Sequence, residues 1–333
     1  MANDLQKLIE TFPNKNWESR YIVTNENCDI SYLEKASKIL KKRFLKYKAI
    51  AINPHFTIED IEEYPEASWF LFSMNSSVTW DIIQKNPDKK WDYVFVSNNP
   101  NITWDIVQEN PDKEWNYSYL SSNPTITWDI IQKNLDKNWD WQLLSSNKNI
   151  TWDIIKNNPE CDWDWTFISS NPNITWDIIK NNLDKDWDWS SISSHPNITW
   201  DTIKNNPDYP WVPYFVSMNP NITIKIIENN PDYNWFYESL SLNPNITFDF
   251  IQKNIDKPWS WSNLSSNQFK YDYQLRKISK RKIVDMYRKY KMKKMLPIIA
   301  NHYRIVGEIK YKPNFGSEYY KIAEELTKFF DEL

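Results

Sequence analysis

The sequence predicts an all-α fold, an α-solenoid of short helix–turn–helix repeats with atypical capping helices at both ends. Three observations lead to this prediction: tryptophan recurs every 24 residues, threonine precedes it, and Asn-Pro or a variant of it separates the segments within each repeat. A fixed period between 20 and 50 residues is typical of repeat architectures. The spaced tryptophans are Trp80, Trp104, Trp128, Trp152, Trp176 and Trp200, followed by Ile224 and Phe248 in the same slot.

The first helix of each repeat is predicted from its end signals, for which residues 99–122 serve as the example. Thr103 is expected to be the N-cap, because its hydroxyl can accept from a free amide of the first turn. Asp105 lies in that turn, where the helix dipole favours a negative charge. Asn110 precedes a proline, which disfavours helical backbone at that residue. The first helix should therefore span about two turns.

A second helix is expected after this stop, with Asp112 as its cap and Trp115, Tyr117 and Leu120 on its buried face. The step from Tyr117 to Leu120 suits one face of a helix. Asparagine is expected in the left-handed conformation where each helix ends, with proline as the stop. We interpret the tryptophans mainly as packing residues, since large rings must supply buried area to helices too short to be stable alone.

An all-β fold is the alternative. Tryptophan, isoleucine, threonine and tyrosine favour strands, and a segment such as 101–104, Asn-Ile-Thr-Trp, could be extended. The helix caps, the aspartate in the first turn and the lack of strict alternation favour helices instead.

The domain organisation follows from where the pattern is clear. We predict degenerate N-terminal repeats or a cap over 1–52, tandem repeats over 53–267, and a basic C-terminal helical segment and cap over 268–333. The array should hold roughly ten units, with degraded outer ones, because the ends of a stack must face water. Within the two caps, we expect a basic helix over 33–48 and an amphipathic lid helix over 316–333.

Charge is distributed unevenly along the chain. Residues 268–294 carry 11 basic and two acidic side chains, although the whole chain has a formal net charge of −4. Clustered lysine and arginine among aromatic residues favour contact with a nucleic-acid backbone, and a basic helix equally suits docking to a protein. The basic candidates for partner binding are Arg276, Lys277, Lys280, Arg281 and Lys282.

No motif in the sequence indicates catalysis. The recurring aspartates, one per repeat, are expected at helix starts, whereas catalysis needs several groups that converge. With two glycines in the chain, a phosphate-binding loop is not expected. We therefore predict a non-enzymatic protein without cofactor or metal. The chain also contains no run of 18 apolar residues, so no membrane span is predicted.

The repeated NPNITWDIIKNNPDKDWDW resembles the tandem-repeat proteins of giant DNA viruses of amoebae, the mimivirus group, over about residues 53–267. The resemblance implies a viral protein that acts in the host cytoplasm or the viral factory, or as part of the virion, and it implies no enzymatic activity. Residues 219–242 depart from the pattern, with Ile224-Lys225 in place of Trp-Asp. That change is expected to weaken a helix start.

Sequence positions that vary while their neighbours stay constant point to the surface that binds a partner. The most variable pair follows each Trp-x-Trp, and its candidate residues are Phe95, Tyr119, Gln142, Thr166, Ser190, Tyr214 and Glu238. The leading hypothesis is a protein–protein interaction scaffold that takes a protein partner or the basic segment of another copy. The alternatives are a nucleic-acid-binding protein that uses residues 268–294 and a structural component of the virion.

Overall fold

A computed structural model of the protein describes residues 3–44, 48–64 and 67–269. These residues belong to one compact unit, Ala2–Arg276. They are all-helical, with 21 short α-helices and a five-residue 3-10 helix, and the described ranges contain no strand. The prediction of an all-α fold is therefore confirmed, and the all-β alternative is wrong.

The helices alternate along the chain between two sets, so that each helix of the first set is followed by one of the second. The first set is α1 (Asp4–Thr11), α3 (Ile30–Leu40), α4 (Ile58–Glu63), α6 (Trp80–Lys85), α8 (Trp104–Glu109), α10 (Trp128–Lys133), α12 (Trp152–Asn157), α14 (Trp176–Lys180), α16 (Trp200–Asn205), α18 (Ile224–Asn229) and α20 (Phe248–Lys253). The second set is α2 (Ser19–Thr24), the 3-10 helix Lys48–Ile52, α5 (Trp69–Phe72), α7 (Tyr93–Ser97), α9 (Tyr117–Leu120), α11 (Trp141–Ser146), α13 (Trp165–Ile168), α15 (Trp189–Ser194), α17 (Pro213–Met218), α19 (Tyr237–Leu240) and α21 (Trp261–Ser266).

The first helix of a pair begins and ends largely as predicted. Thr103 has extended backbone, and its Oγ1 accepts from the amide of Ile106 at the start of α8. At the other end, Asn110 has φ −129° and lies outside the left-handed region. Its Nδ2 instead donates to the carbonyl oxygen of Ile106 at 2.8 Å. The prediction of left-handed asparagines is wrong, since the described residues with positive φ are Lys41 and Phe269.

The second helix is shorter than predicted and begins later. Asp112 is an exposed turn residue and not the N-cap, and Trp115 precedes the helix. The N-cap of α9 is Asn116, whose Oδ1 accepts from the amide of Tyr119 at 3.0 Å. The corresponding N-caps of other pairs are Asp92, Asp140, Asp164, Asp188 and Ser260. The second helices are therefore only four to six residues long.

Each pair contributes the same positions to a continuous core. Ile102, Val107 and Leu120 are at most 3% exposed. Tryptophans pack around this core. The tryptophan two residues before the second helix is held by its ring nitrogen, as in Trp139, whose Nε1 donates to the carbonyl oxygen of Asn134 at 2.8 Å. The aromatic rings and the aliphatic residues together hold helices that would not be stable singly.

A row of buried asparagines joins each helix pair to the pair before it. The Nδ2 of Asn99 donates to three backbone carbonyls of the preceding pair, those of Ser73, Asn75 and Val78. All three carbonyls lie between α5 and α6, outside both helices, and buried backbone oxygens need hydrogen-bond donors. Bonds of the same kind are made by Asn53, Asn75, Asn123, Asn147, Asn171, Asn219, Asn243 and Asn267.

The asparagine row returns to its starting point. The Nδ2 of Asn25 donates to the carbonyl oxygens of Ser265 and Asn267, each at 3.0 Å, and Asn53 in turn donates to the carbonyl oxygen of Val23. Asn25 therefore makes with the last described pair the bonds that the other asparagines of the row make with the pair before them. Eleven helix pairs complete the circuit.

Further contacts at this junction repeat those between other neighbours. The amide of Glu18 donates to Ser265 Oγ at 3.0 Å, as the amide of Asn116 donates to Ser97 Oγ at 2.9 Å. The ring of Trp17 lies edge-on to that of Trp261, with centroids 5.2 Å apart. We expected the ends of the array to face water, but the N-terminal pair instead packs on the last one.

Three local expectations have different outcomes. Helix α18 is regular, with the amide of Ile226 donating to Thr223 Oγ1, so the expected disturbance at Ile224 is absent. The basic helix predicted over 33–48 ends at Leu40, because Lys41 is left-handed at φ 53°. The lid helix predicted over 316–333 lies outside the described residues.

His195 takes the place of asparagine in the row, and we expect it to make the fold sensitive to acid. Its Nε2 lies 3.0 Å from the carbonyl oxygen of Asn171, and its Nδ1 accepts from the amide of Asn197. Burial lowers the pKa of His195 below its ordinary value of 6.5. The unfolded chain thus binds the proton more readily, so this residue's contribution to stability is complete above about pH 6.5 and declines below it.

The variant His195→Asn is expected to remove this acid sensitivity. Asparagine also restores amide bonds to the preceding pair, worth about 1 kcal/mol of unfolding free energy at pH 7.5. Urea unfolding at pH 7.5 and 5.5 measures the effect, and the advantage of the variant should widen at the lower pH. A constant difference between the two pH values would contradict the role given to His195.

Candidate interaction surface

The predicted variable pairs lie on the short second helices, directly after their first residue. The N-cap positions them: Asp164 Oδ1 accepts from the amides of Thr166 and Phe167. The amide of Asp164 in turn donates to Ser145 Oγ of the preceding pair at 2.9 Å. The amides of Val212 and Phe236, whose side chains do not cap their helices, make the same bond to the preceding pair. This bond therefore fixes the spacing between successive variable pairs.

The structure places the seven candidates in one set of helices but at two positions. Phe95 and Tyr119 are the second members of their pairs, and the other five are first members. Gln142, Thr166 and Glu238 are exposed. The half-buried candidates are Phe95, Tyr119, Ser190 and Tyr214.

We call these seven residues of successive second helices the variable row: Phe95, Tyr119, Gln142, Thr166, Ser190, Tyr214 and Glu238. The ring of Phe95 lies 5.1 Å from that of Phe70 and 5.7 Å from that of Tyr119. Farther along, Gln142 Nε2 donates to Asp164 Oδ2 at 3.2 Å. The row is thus aromatic in its first part and polar in the middle.

The third part of the row mixes both kinds of side chain. Tyr214 contacts the ring of Phe236 at 5.8 Å, and Phe236 is 37% exposed. Glu238 follows as an exposed carboxylate. A partner that spans the row would meet three chemically different sectors in a fixed order.

Sequence reasoning missed a second feature, an open cleft of about 580 Å³ between two neighbouring helix pairs. Its walls include the rings of Trp200, Tyr209, Trp211 and Tyr233, with Asp232 and Lys204 among its charged residues. Burial raises the pKa of Tyr233 to about 12. The signal was present in the sequence, because tyrosine stands at 209 and 233 where most repeats carry lysine.

Sequence reasoning also missed exposed apolar side chains in the turns between the helices of a pair. Leu135, Leu183 and Ile255 are 61%, 50% and 40% exposed. Each replaces the proline that follows asparagine in other repeats. They lie away from the variable row in sequence, so we do not include them in the candidate surface.

Other predicted features are tested only within the described ranges. Arg276, Lys277, Lys280, Arg281 and Lys282 lie outside them. Among the described residues, no group of acidic, histidine or cysteine side chains could hold a metal ion, and no helix is long and apolar enough to cross a membrane.

Comparison with known proteins adds no relative. The chain matches no family model, no curated protein and no solved structure among those with which we compared it.

Proposed function

We propose that the protein is a non-enzymatic scaffold, a closed α-solenoid with a 24-residue period, that binds a protein partner along the variable row. The observation that carries the proposal is a constant framework with variable side chains. In the pairs that carry the row, the amide before the second helix donates to a serine hydroxyl of the preceding pair, as those of Asp164, Val212 and Phe236 do, while the side chains of the row differ. Repeat proteins use such extended surfaces for binding, with specificity set by the variable positions. In keeping with the viral resemblance, we place its action in the host cytoplasm or the viral factory.

Affinity purification from infected cells, followed by mass spectrometry, tests the proposal. We expect the tagged chain to recover a specific protein, and the triple variant Gln142→Ala, Tyr214→Ala, Glu238→Ala to recover about tenfold less of it. The matched control replaces exposed glutamines of the first-set helices, Gln108, Gln132 and Gln252, with alanine. Equal loss in both variants, or no specific protein with the unaltered chain, would refute the proposed surface.

Nucleic-acid binding through residues 268–294 is the second candidate, and the charge contrast within the chain favours it. Residues 1–269 hold 36 acidic and 24 basic side chains, a net charge of −12, whereas 268–294 are strongly basic. Binding of this kind weakens steeply with salt. A titration of labelled DNA at increasing salt, with and without residues 268–294, distinguishes this candidate from the scaffold. Incorporation into the virion is the remaining alternative, tested by the protein content of purified particles.

A further inference from the structure

A lysine at the end of the turn before the second helix makes the same two contacts in several helix pairs. Lys137 Nζ lies 3.0 Å from Asp136 Oδ2 and 5.7 Å from the ring centroid of Tyr117 in the preceding pair. Each ammonium thus has a carboxylate on one side and an aromatic ring on the other, both of which attract a cation. Lys113 and Lys185 make the same combination, with Asp112 and Tyr93 and with Asp184 and Trp165.

Cys161 replaces this lysine in one pair, and two adjacent pairs farther along also lack it; the cleft of about 580 Å³ lies between those two. Tyr209 and Tyr233 replace the lysine. The carboxylates beside them, Asp208 and Asp232, form no ion pair within the described residues, and both are exposed. The two pairs therefore keep the acid and gain aromatic rings, but they have lost their own cation.

Pro213 opens the cleft further. In the neighbouring pairs this position holds an aromatic residue, such as Trp189, whose ring lies edge-on to Trp211 at 5.4 Å. Pro213 has no aromatic ring to pack against Trp235 in this way, and it lines the cleft instead. The missing ring leaves a space bounded by Trp200, Tyr209 and Tyr233. The lysine's own place is taken by a tyrosine ring, as where Tyr209 stacks on Trp189 at 5.5 Å.

The geometry points to this cleft as a binding site for a lysine or arginine side chain of a protein partner, an inference that rests on the proposed scaffold function. The cation would contact the rings as Lys137 contacts Tyr117, and pair with Asp232 as Lys137 pairs with Asp136. Charge is complementary around the cleft, since residues 195–242 carry five acidic and two basic side chains. One of the two, Lys204, lines the cleft and opposes binding.

The test is a titration of the full chain with blocked tripeptides, Gly-Arg-Gly and Gly-Lys-Gly, followed by tryptophan fluorescence. We expect saturable binding of both, none of Gly-Gln-Gly, and weaker binding at high salt. Asp232→Asn should weaken binding about fivefold to tenfold, because the charged partner is lost. Tyr233→Lys should weaken peptide binding about tenfold, because the introduced lysine then competes with the peptide's cation for the rings and for Asp232.

The matched control is Asp136→Asn, whose carboxylate is already paired with Lys137 and which should leave peptide binding unchanged. Thermal unfolding verifies that each variant folds, and Tyr233→Lys restores a residue that other repeats carry. Absence of saturable binding, equal binding of the glutamine peptide, or equal effects of Asp136→Asn and Asp232→Asn would overturn the inference. If Tyr233→Lys abolishes peptide binding but leaves partner recovery in the purification intact, the cleft is not the partner's site, while the scaffold function stands.

Discussion

Replacing Asn171 with alanine is expected to lower the free energy of unfolding by about 3 kcal/mol or more, because buried carbonyls lose their hydrogen-bond donor. The Nδ2 of Asn171 donates to the carbonyl oxygens of Ser145, Asn147 and Ile150 at 2.9–3.1 Å. Its Oδ1 also accepts from the amide of Asn173. Alanine can replace none of these four bonds. Chemical denaturation followed by tryptophan fluorescence measures the change.

Asn173→Ala is the matched control, two residues away. Its Nδ2 makes two bonds, to the carbonyl oxygens of Lys148 and Ile150, and the first of these is solvent-exposed. Water can replace an exposed bond, so a loss of about 1 kcal/mol is expected. Equal destabilisation by the two variants would mean that the asparagine row does not hold the pairs together in the way described.

The largest effect on the closure of the circuit is expected from Trp17→Ala, which should cost about 3–5 kcal/mol of unfolding free energy. Trp17 is 1% exposed, and its Nε1 donates to the carbonyl oxygen of Phe12 at 2.9 Å. The ring also contacts Trp261, which belongs to the last helix pair. Alanine removes this contact and leaves a cavity at the junction. Denaturant unfolding gives the cost.

A double-mutant cycle isolates the junction itself. Alanine at Trp17, at Trp261 and at both should reveal a coupling of about 1 kcal/mol, the usual value for an edge-on aromatic pair. Trp141 and Trp163 form the equivalent pair inside the array, with ring centroids also 5.2 Å apart. Similar coupling in both cycles supports closure, whereas zero coupling between Trp17 and Trp261 would show that the two ends do not meet.

The sequence predicted those features that depend on near neighbours. Thr103 caps a helix through contacts within one turn, so its role was evident from local chemistry. The second helix was misplaced because both Asp112 and Asn116 are plausible caps. The choice between them depends on Ser97 Oγ, which accepts from the amide of Asn116 across the pair boundary.

The asparagine row and its closure could not be predicted in this way. Asn99 and Asn110 both precede a proline, so they look alike in sequence. Asn99 is buried and donates to the preceding pair, whereas Asn110 is only half-buried and donates to Ile106 of its own helix. The cyclic contact between Asn25 and Asn267 depends on curvature summed over all pairs. Single-sequence reasoning has no measure of that curvature.

For the candidate site, the sequence predicted which positions vary but not what they contact. Gln142 is exposed as expected, whereas Phe95 is half-buried against Phe70 and Tyr119. The cleft at Tyr209 and Tyr233 was missed because its meaning depends on the lysine contacts of other pairs. Those contacts, such as Lys137 over Tyr117, are visible only in the structure.

The return of the asparagine row to Asn25 has a consequence for how the chain is made. Asn25 is synthesised early, but the carbonyls to which its amide donates, those of Ser265 and Asn267, follow about 240 residues later. Until those residues have been synthesised, the amide of Asn25 lacks these two acceptors. Contacts between residues so distant in sequence form late and slowly. Closure of the circuit is therefore expected to be the slowest step of folding.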